Sequence, residues 1–546
     1  MSDLVRGAVT SSGGDNPPLP VSHRSPRERE PAASIGTAAP RKRVTVFIVL
    51  AASICFVSLC FAASFSSTLN SDGASFALAG WDMLHGNVLL RHWYMADAPF
   101  YALETPLYAV VEAFVGLGPT AARLVATLTY LIVALAAVGL AVRGTAGARA
   151  ARRSAIVVLL LAAPLCFGGQ AYLLLEMPTH LGTAAYLMFA FLVYVRWNGY
   201  LGGAVGLLAV LAVGQFEDAT ILYVGITAIV LIAASCVVQD RRLAVPELRM
   251  AAAAVLSYPC ALVLRHIAVH FGSYVLIPPN ASFASLSALP GNLAGTFKSL
   301  LFLYNIYQVG GPGPHTPQQY AAAVVGAAAL AAGVAGFVRV LVRWRVADRV
   351  DRLAWIAVVL YFGTFALSAL AADTATRGYE FIGVIPMFAI LAARNLPELV
   401  RVPHRGLTIL LAAAAAVVLA TGALVPRTAA PWAPPANLAG WLKSHGLTEG
   451  IAGYWDAAAV TVDSGGRVQV RAVTPDGHGY QIYKWHTDTA WYAPEAADAN
   501  FFIADPRIAG MGLNDAEAAY GAPSKAYSVD GMEILVYRAN LFTMLN

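Results

Sequence analysis

The chain has 546 residues, 58% of them hydrophobic and only 12% charged, with a formal net charge of +5 and a mean hydropathy of +0.62. A soluble chain carries roughly a quarter charged residues, so a water-soluble globular protein is excluded. The basic residues come in short groups beside apolar runs, which excludes a continuous nucleic-acid surface. Cys55, Cys60, Cys166, Cys236 and Cys260 all lie in apolar segments without CxxC spacing, so neither a disulfide framework nor a cysteine-held metal is expected.

In chain order, residues 1–43 are rich in Pro, Ser, Gly and charge and read as a disordered cytoplasmic tail. The apolar run after Arg43 is long enough to cross a bilayer and reads as an uncleaved first helix. Membrane spans are predicted at 44–66, 120–142, 154–169, 180–196, 201–214, 217–237, 250–270, 320–341, 352–371, 381–394 and 406–425. The pair over 201–237 also reads as one broken helix. About 11 spans place Arg143–Arg153, Arg241–Arg242, Arg343–Arg352 and Arg401–Arg405 in cytoplasmic loops, as the positive-inside rule requires. The N-terminus is then cytoplasmic and the C-terminus outside.

Two outer segments, 67–118 and 271–319, interrupt the membrane domain 44–425. Ala74–Leu90 is amphipathic and 106–117 is apolar but short, so both read as helices lying at the membrane interface. Pro426–Pro435 reads as a linker. The tail 426–546 changes to charge, turns and period-2 alternation. Its expected elements are a helix from Asn437 to His445 closed by Gly446, and strands at Val460–Val462, Val468–Val473, Phe501–Ala504 and Ile534–Tyr537. The fold class is thus a polytopic α-helical membrane protein with a small extracytoplasmic α/β domain.

Asp72, just past the first span, is either a partly desolvated general base or the N-cap of the amphipathic helix. Glu176 and His180 flank the outer end of one span, and Glu217 and Asp218 lie between two short apolar runs. Ionisable groups at such depth are costly and mark functional sites, and the alternative is a wet external turn. Pro178 breaks any helix between Glu176 and His180, which argues against zinc. The tail motifs Gly453-Tyr454-Trp455-Asp456 and Lys484-Trp485-His486 suit sugar stacking or a small core.

The series around Asp72 has an order of its own: Asp72-Gly73, Trp81-Asp82-Met83, Gly86-Asn87, Arg91-His92-Trp93, Glu104-Thr105-Pro106-Leu107-Tyr108, Leu117-Gly118-Pro119 and Ala122-Arg123-Leu124. It resembles the first external loop of the GT-C glycosyltransferases, in particular protein O-mannosyltransferases and bacterial lipid A aminoarabinose transferases. The resemblance covers 44–142, and beyond that it is one of topology. It implies an inverting transferase with Asp72 as catalytic residue, a polyprenyl-phosphate sugar as donor, and an envelope glycan, lipid or protein as acceptor. No nucleic acid takes part.

Gly73 stands where relatives carry a second acid. That departure weakens a metal-dependent reading, because a divalent cation wants several oxygen ligands, and no cofactor or metal is expected. Glu104-Thr105 replaces a lysine common in relatives. The donor phosphate needs positive charge, with Arg91, His92, Lys298, His315 and Arg377 as candidates. Arg377 also reads as a snorkelling interfacial side chain. Glu176, His180, Glu217, Asp218, Tyr379 and Asp82 are assigned to substrate. A transporter or flippase, and a non-catalytic envelope-glycan assembly protein, are the competing readings. The first is disfavoured by the lack of related halves.

Overall fold

A computed structural model describes residues 52–66, 68–175, 180–240, 244–278, 282–307, 315–369, 375–399 and 433–546. Six of its helices are long and apolar enough to cross a membrane by length and composition: α4 (Pro119–Ala141), α5 (Gly147–Ala162, continued to Gly168), α9 (Thr227–Asp240, preceded by a π turn from Ile221), α10 (Val245–His270), α12 (Pro317–Val342) and α13 (Arg349–Leu367). Four shorter apolar helices join them: α1 (Ala52–Ser66), α7 (Leu181–Trp197), α8 (Leu201–Gly214) and α14 (Val384–Leu399). The segments expected at 201–214 and 217–237 are thus two helices. The span expected at 406–425 lies outside the described residues, as do the linker and the N-terminal tail.

Small side chains let these helices approach. Ala322, Gly326, Ala329, Gly333 and Gly336 line one buried stripe of α12. A Cβ on Gly333 would lie 2.7 Å from Phe388 Cβ of α14, and one on Gly336 2.6 Å from the Leu391 backbone. Close backbone packing of this kind holds helices together where lipid supplies no hydrophobic drive.

One end of the bundle is tied by arginines. Arg394 pairs with Asp348, donates to Asp351 at 2.8 Å, and caps the last carbonyls of α4. Arg349 pairs with Glu247.

The other end carries the remaining elements. These are α2 (Ser71–Leu84), β1 (Trp93–Met95), α3 (Glu104–Val115), the short α6 (Ala171–Leu175), β2 (Val275–Leu276) and α11 (Leu289–Leu303). α2 spans much of the expected amphipathic stretch. It does not lie free on a membrane: Gly73–Gly80 are buried beneath the tail and α3. Gly80 allows this, because a Cβ there would lie 2.3 Å from Tyr108 Cβ. On α3, Val110, Phe114 and Val115 stay exposed, Phe114 at 85%. That apolar edge suits a membrane interface.

The tail is a six-stranded mixed sheet of order β5-β4-β3-β7-β9-β8. Its elements are α15 (Leu438–Ser444), β3 (Glu449–Ala452), α16 (Tyr454–Asp463), β4 (Gln469–Pro475), β5 (Tyr480–Ile482), β6 (Thr487–Asp488), β7 (Phe501–Ala504), α17 (Leu513–Tyr520), β8 (Lys525–Val529) and β9 (Met532–Val536). β3 runs parallel to both β4 and β7, while β5, β9 and β8 pair antiparallel. Phe501 and Ile503 point into one apolar layer and Phe502 and Ala504 into the other, the period of a strand covered on both faces.

Val460–Val462 is not a strand; it is the last turn of α16. Three β-branched residues in a row read as strand, but a parallel β3–β4 pair needs a crossover helix. Val460 packs on the sheet and Val462 on α2, so both sides of the helix are apolar and the helical period is masked.

β6 leaves the main sheet. It pairs antiparallel with β1, which pairs parallel with β2, so three distant segments form one small sheet beside α2.

Candidate functional site

Asp72 does not cap α2. Asn70 does, its side-chain oxygen accepting from the Gly73 N–H at 3.1 Å. Asp72 sits in the first turn, where the helix dipole favours a carboxylate. The Tyr454 hydroxyl of α16 donates to Asp72 Oδ1 at 2.6 Å, and the Ala459 N–H donates to Ser71 Oγ at 3.3 Å. Burial pushes the Asp72 carboxyl above the usual range, and the Tyr454 bond works against that rise. One turn on, Phe76 meets the His486 ring edge-on at 4.4 Å. Burial pushes His486 down to about 3, so that imidazole is neutral.

Phe76 also meets Phe100, and Phe100 meets His180, at ring distances of 5.3 and 5.5 Å. Phe100, His180 and His486 all adopt left-handed backbone conformations, with φ of 45°, 47° and 46°. Bulky residues held there cost of order 1–3 kcal/mol each, and such strain gathers at functional sites.

His180 precedes α7 and lies between two acids. Its Nδ1 pairs with Asp218 Oδ2, and its Nε2 lies 3.2 Å from Glu380 Oε2. Asp218 also accepts from Thr183 Oγ1 at 2.9 Å and the Thr220 N–H at 2.8 Å. Tyr379 lies parallel to the imidazole, centroids 6.4 Å apart. Burial disfavours the imidazolium, yet Asp218 and Glu380 outweigh it and hold the His180 pKa well above its usual value. Burial likewise opposes ionised Asp218, and His180 keeps its pKa low. Asp97 faces the same group; burial, Glu380 and Asp218 raise it. Three carboxyls around one imidazolium make a largely buried polar cluster whose oxygens can accept hydrogen bonds.

Behind it, Glu104 and Glu217 are fully buried. Glu217 Oε2 accepts from the Ala102 and Leu103 N–H groups at 2.7 and 3.0 Å. Glu104 Oε1 accepts from the Gly182 N–H at 2.8 Å. The remaining oxygens, Glu104 Oε2 and Glu217 Oε1, are buried without a hydrogen-bond partner among the described residues, and burial raises both carboxyls, Glu217 further through Glu104. The two side chains clamp the start of α3 to α7 and the α8–α9 turn, and two neighbouring buried carboxyls of this kind are arranged to share one proton.

The expected residues divide accordingly. Asp72, His180, Asp218 and Tyr379 lie along this connected path, and Glu217 supports it. Asp82 is engaged elsewhere, accepting from Asn87 Nδ2 at 2.6 Å and Trp93 Nε1 at 2.7 Å. Arg91 donates to the Phe271 carbonyl at 3.4 Å, and the His92 carbonyl accepts from the Thr489 N–H at 3.1 Å. Both line a shallow recess beside Gly86. Lys298 is exposed on α11. His315 stands beside Tyr320, ring centroids 5.9 Å apart. Arg377 lies in the 3-10 turn Ala375–Phe381. Its side chain, and the whole of Glu176, lie outside the described residues. Among those residues, no three His, Cys, Asp or Glu side chains are grouped to hold a metal ion.

Sequence reading missed Asp97, Glu380 and Arg265 as site residues. Arg265 stacks over Tyr274 at 5.4 Å and borders an apolar groove with Phe216, Leu222, Tyr258 and Leu262. A lone arginine inside the apolar run 250–270 was the available signal.

No protein-family model and no curated protein sequence matches the chain. Among solved structures it is similar to ArnT from Cupriavidus metallidurans bound to undecaprenyl phosphate, with TM-score 0.51, 15% identity, and coverage of 92% of this chain and 99% of that one. The apo form of the same protein matches with TM-score 0.44, 16% identity and coverage of 93% and 100%. The apo Archaeoglobus fulgidus oligosaccharyltransferase matches with TM-score 0.41, 12% identity and coverage of 83% and 69%. Over almost the full length of both chains, this protein shares the fold of ArnT.

Proposed function

We propose that the protein transfers a sugar from a polyprenyl-phosphate donor to an envelope acceptor at the outer face of the inner membrane, with inversion. The fold shared with an undecaprenyl-phosphate-bound transferase carries this reading. The arginine-tied end is then cytoplasmic, and the end bearing Asp72 and the tail is outside.

In this reading the isoprenoid lies in the apolar groove beside α10, with its phosphate towards Arg265. The donor sugar reaches the polar cluster of Asp97, His180 and Glu380. Asp72, its Oδ1 held by Tyr454, takes the acceptor hydroxyl proton on Oδ2. The acceptor oxygen attacks the anomeric carbon as the bond to the phosphate oxygen breaks, and polyprenyl phosphate leaves with the electron pair. General-base assistance of this kind contributes about 100- to 10,000-fold.

The test uses the whole membrane and envelope fraction of a strain lacking the chain, which holds both undischarged donor and unmodified acceptor. Added wild-type protein in proteoliposomes should release polyprenyl phosphate, read by mass spectrometry, and Asp72→Asn should release at least about 100-fold less. An Asp72→Asn variant that releases it at the wild-type rate would remove Asp72 from the chemistry. Wild-type protein that discharges no donor would end the transferase reading.

A further inference from the structure

We propose that the tail domain is a working part of the active site, with Tyr454 as the residue that positions Asp72. This rests on the reading of Asp72 as the base, and adds to it a domain for which no role has been assigned.

The first ground is topological. Tyr454 follows Gly453 directly after β3, at the carboxyl end of a strand flanked on both sides by parallel neighbours. β3 connects through α16 to β4 on one side, while β7 lies on the other. The chain thus leaves the sheet in opposite directions from this point, and α/β sheets present functional groups at the carboxyl edge of such a switch point. Here that edge is turned onto α2.

The second ground is geometric. The Tyr454 hydroxyl reaches Asp72 Oδ1 at 2.6 Å across 382 residues of chain. The contact is not a lone surface bond. The Ala459 N–H donates to Ser71 Oγ at 3.3 Å one turn along α16. Ala458, Ala459 and Val462 share one buried cluster with Ala74, Phe76 and Ala77. Tyr454 itself is braced by the Tyr483 ring at 5.2 Å.

The third ground is chemical. A phenol donating to one carboxylate oxygen fixes the plane of the group and leaves the second oxygen to take the proton. A buried carboxylate without such a donor is pushed towards its neutral form, which is useless as a base. Tyr454 opposes that push on Asp72. Tyr454 is therefore a positioning residue, acting through Asp72 and not on the substrate.

The experiment is an infrared titration of the full-length chain in nanodiscs, with the Asp72 carboxyl band identified as the difference between wild type and Asp72→Asn. Tyr454→Phe keeps the ring and removes the donor. The Asp72 protonation midpoint should then rise by about one pH unit, the change that loss of one hydrogen bond to a charged acceptor produces. The acid limb of donor discharge should move up with it, and turnover at neutral pH should fall about 10-fold with KM unchanged. A second variant guards against misfolding: ring-fluorinated tyrosine at 454 is a stronger donor and should move the midpoint down. A midpoint that stays put in both variants overturns the role of Tyr454 even if Asp72→Asn is inactive. A fully active Asp72→Asn overturns the reading beneath it, whatever Tyr454 does to the titration.

Discussion

Glu217 can be replaced in two ways that separate a shared proton from a packed side chain. Its Oε2 satisfies two backbone N–H groups, and its Oε1 is buried without a hydrogen-bond partner among the described residues, with Glu104 as the neighbouring acid. Glu217→Ala orphans both buried donors at about 1–3 kcal/mol each, so a loss of about 2–6 kcal/mol is expected. Glu217→Gln keeps the acceptor and offers its amide N–H to Glu104, so it should stay close to wild type near neutral pH.

The two differ from wild type in pH dependence as well. Both folded carboxyls are raised above their unfolded values. Above the ordinary glutamate pKa the unfolded chain has released both protons while the folded pair retains one. The pair's stabilisation is thus complete below the ordinary glutamate pKa and declines as pH rises towards the folded values. The slope is about 1.4 kcal/mol per pH unit while the proton is held. Glu217→Gln has no shared proton to lose, so this slope should become shallower, leaving only what burial of Glu104 contributes. Equilibrium unfolding by steric trapping in nanodiscs, repeated across pH, measures both effects. A Gln variant with the full wild-type slope, or an Ala variant as stable as Gln, would refute the shared proton and the clamp.

Gly182→Ala should destabilise by about 1–3 kcal/mol, because its Cβ would lie 2.2 Å from Glu104 Oε2; a wild-type melting curve would show that Glu104 moves aside freely. Asp218→Asn removes the main group that keeps His180 protonated. The imidazole should then titrate at lower pH by NMR of histidine-labelled protein, and an unmoved midpoint would mean that Glu380 alone holds the charge.

What the sequence revealed follows from how each element is stabilised. Long membrane helices advertise themselves, since lipid demands uninterrupted apolar runs, and the described helices fall near their expected places. Phe501–Ala504 was legible from β propensity and its bounding turns. α16 was not, because it is packed on both sides and carries no polar stripe. The site shows the same division. His180 and Asp218 stood out as ionisable groups beside spans, but their pairing needed the fold. Asn70 and Asp72 are both good caps, and only geometry separates them. Asp82 looked like part of a substrate motif, yet its carboxylate is engaged by Asn87 and Trp93. Tyr454 stood out only as part of an aromatic motif, and nothing local pointed to Asp72, which lies 382 residues away in the chain.

The three-stranded sheet of β1, β2 and β6 bears on how the protein is made. Trp93–Met95 leaves the ribosome early, Val275–Leu276 later, and Thr487–Asp488 only near the end of synthesis. Until then β1 lacks one of its neighbours, an exposed strand edge open to wrong pairing. Asp72 likewise waits for Tyr454. A chain released before its last stretch is translated would carry every described membrane helix and still lack its assembled centre. Under the proposed function, transfer would have to wait for the final domain and could not begin when the helices enter the bilayer.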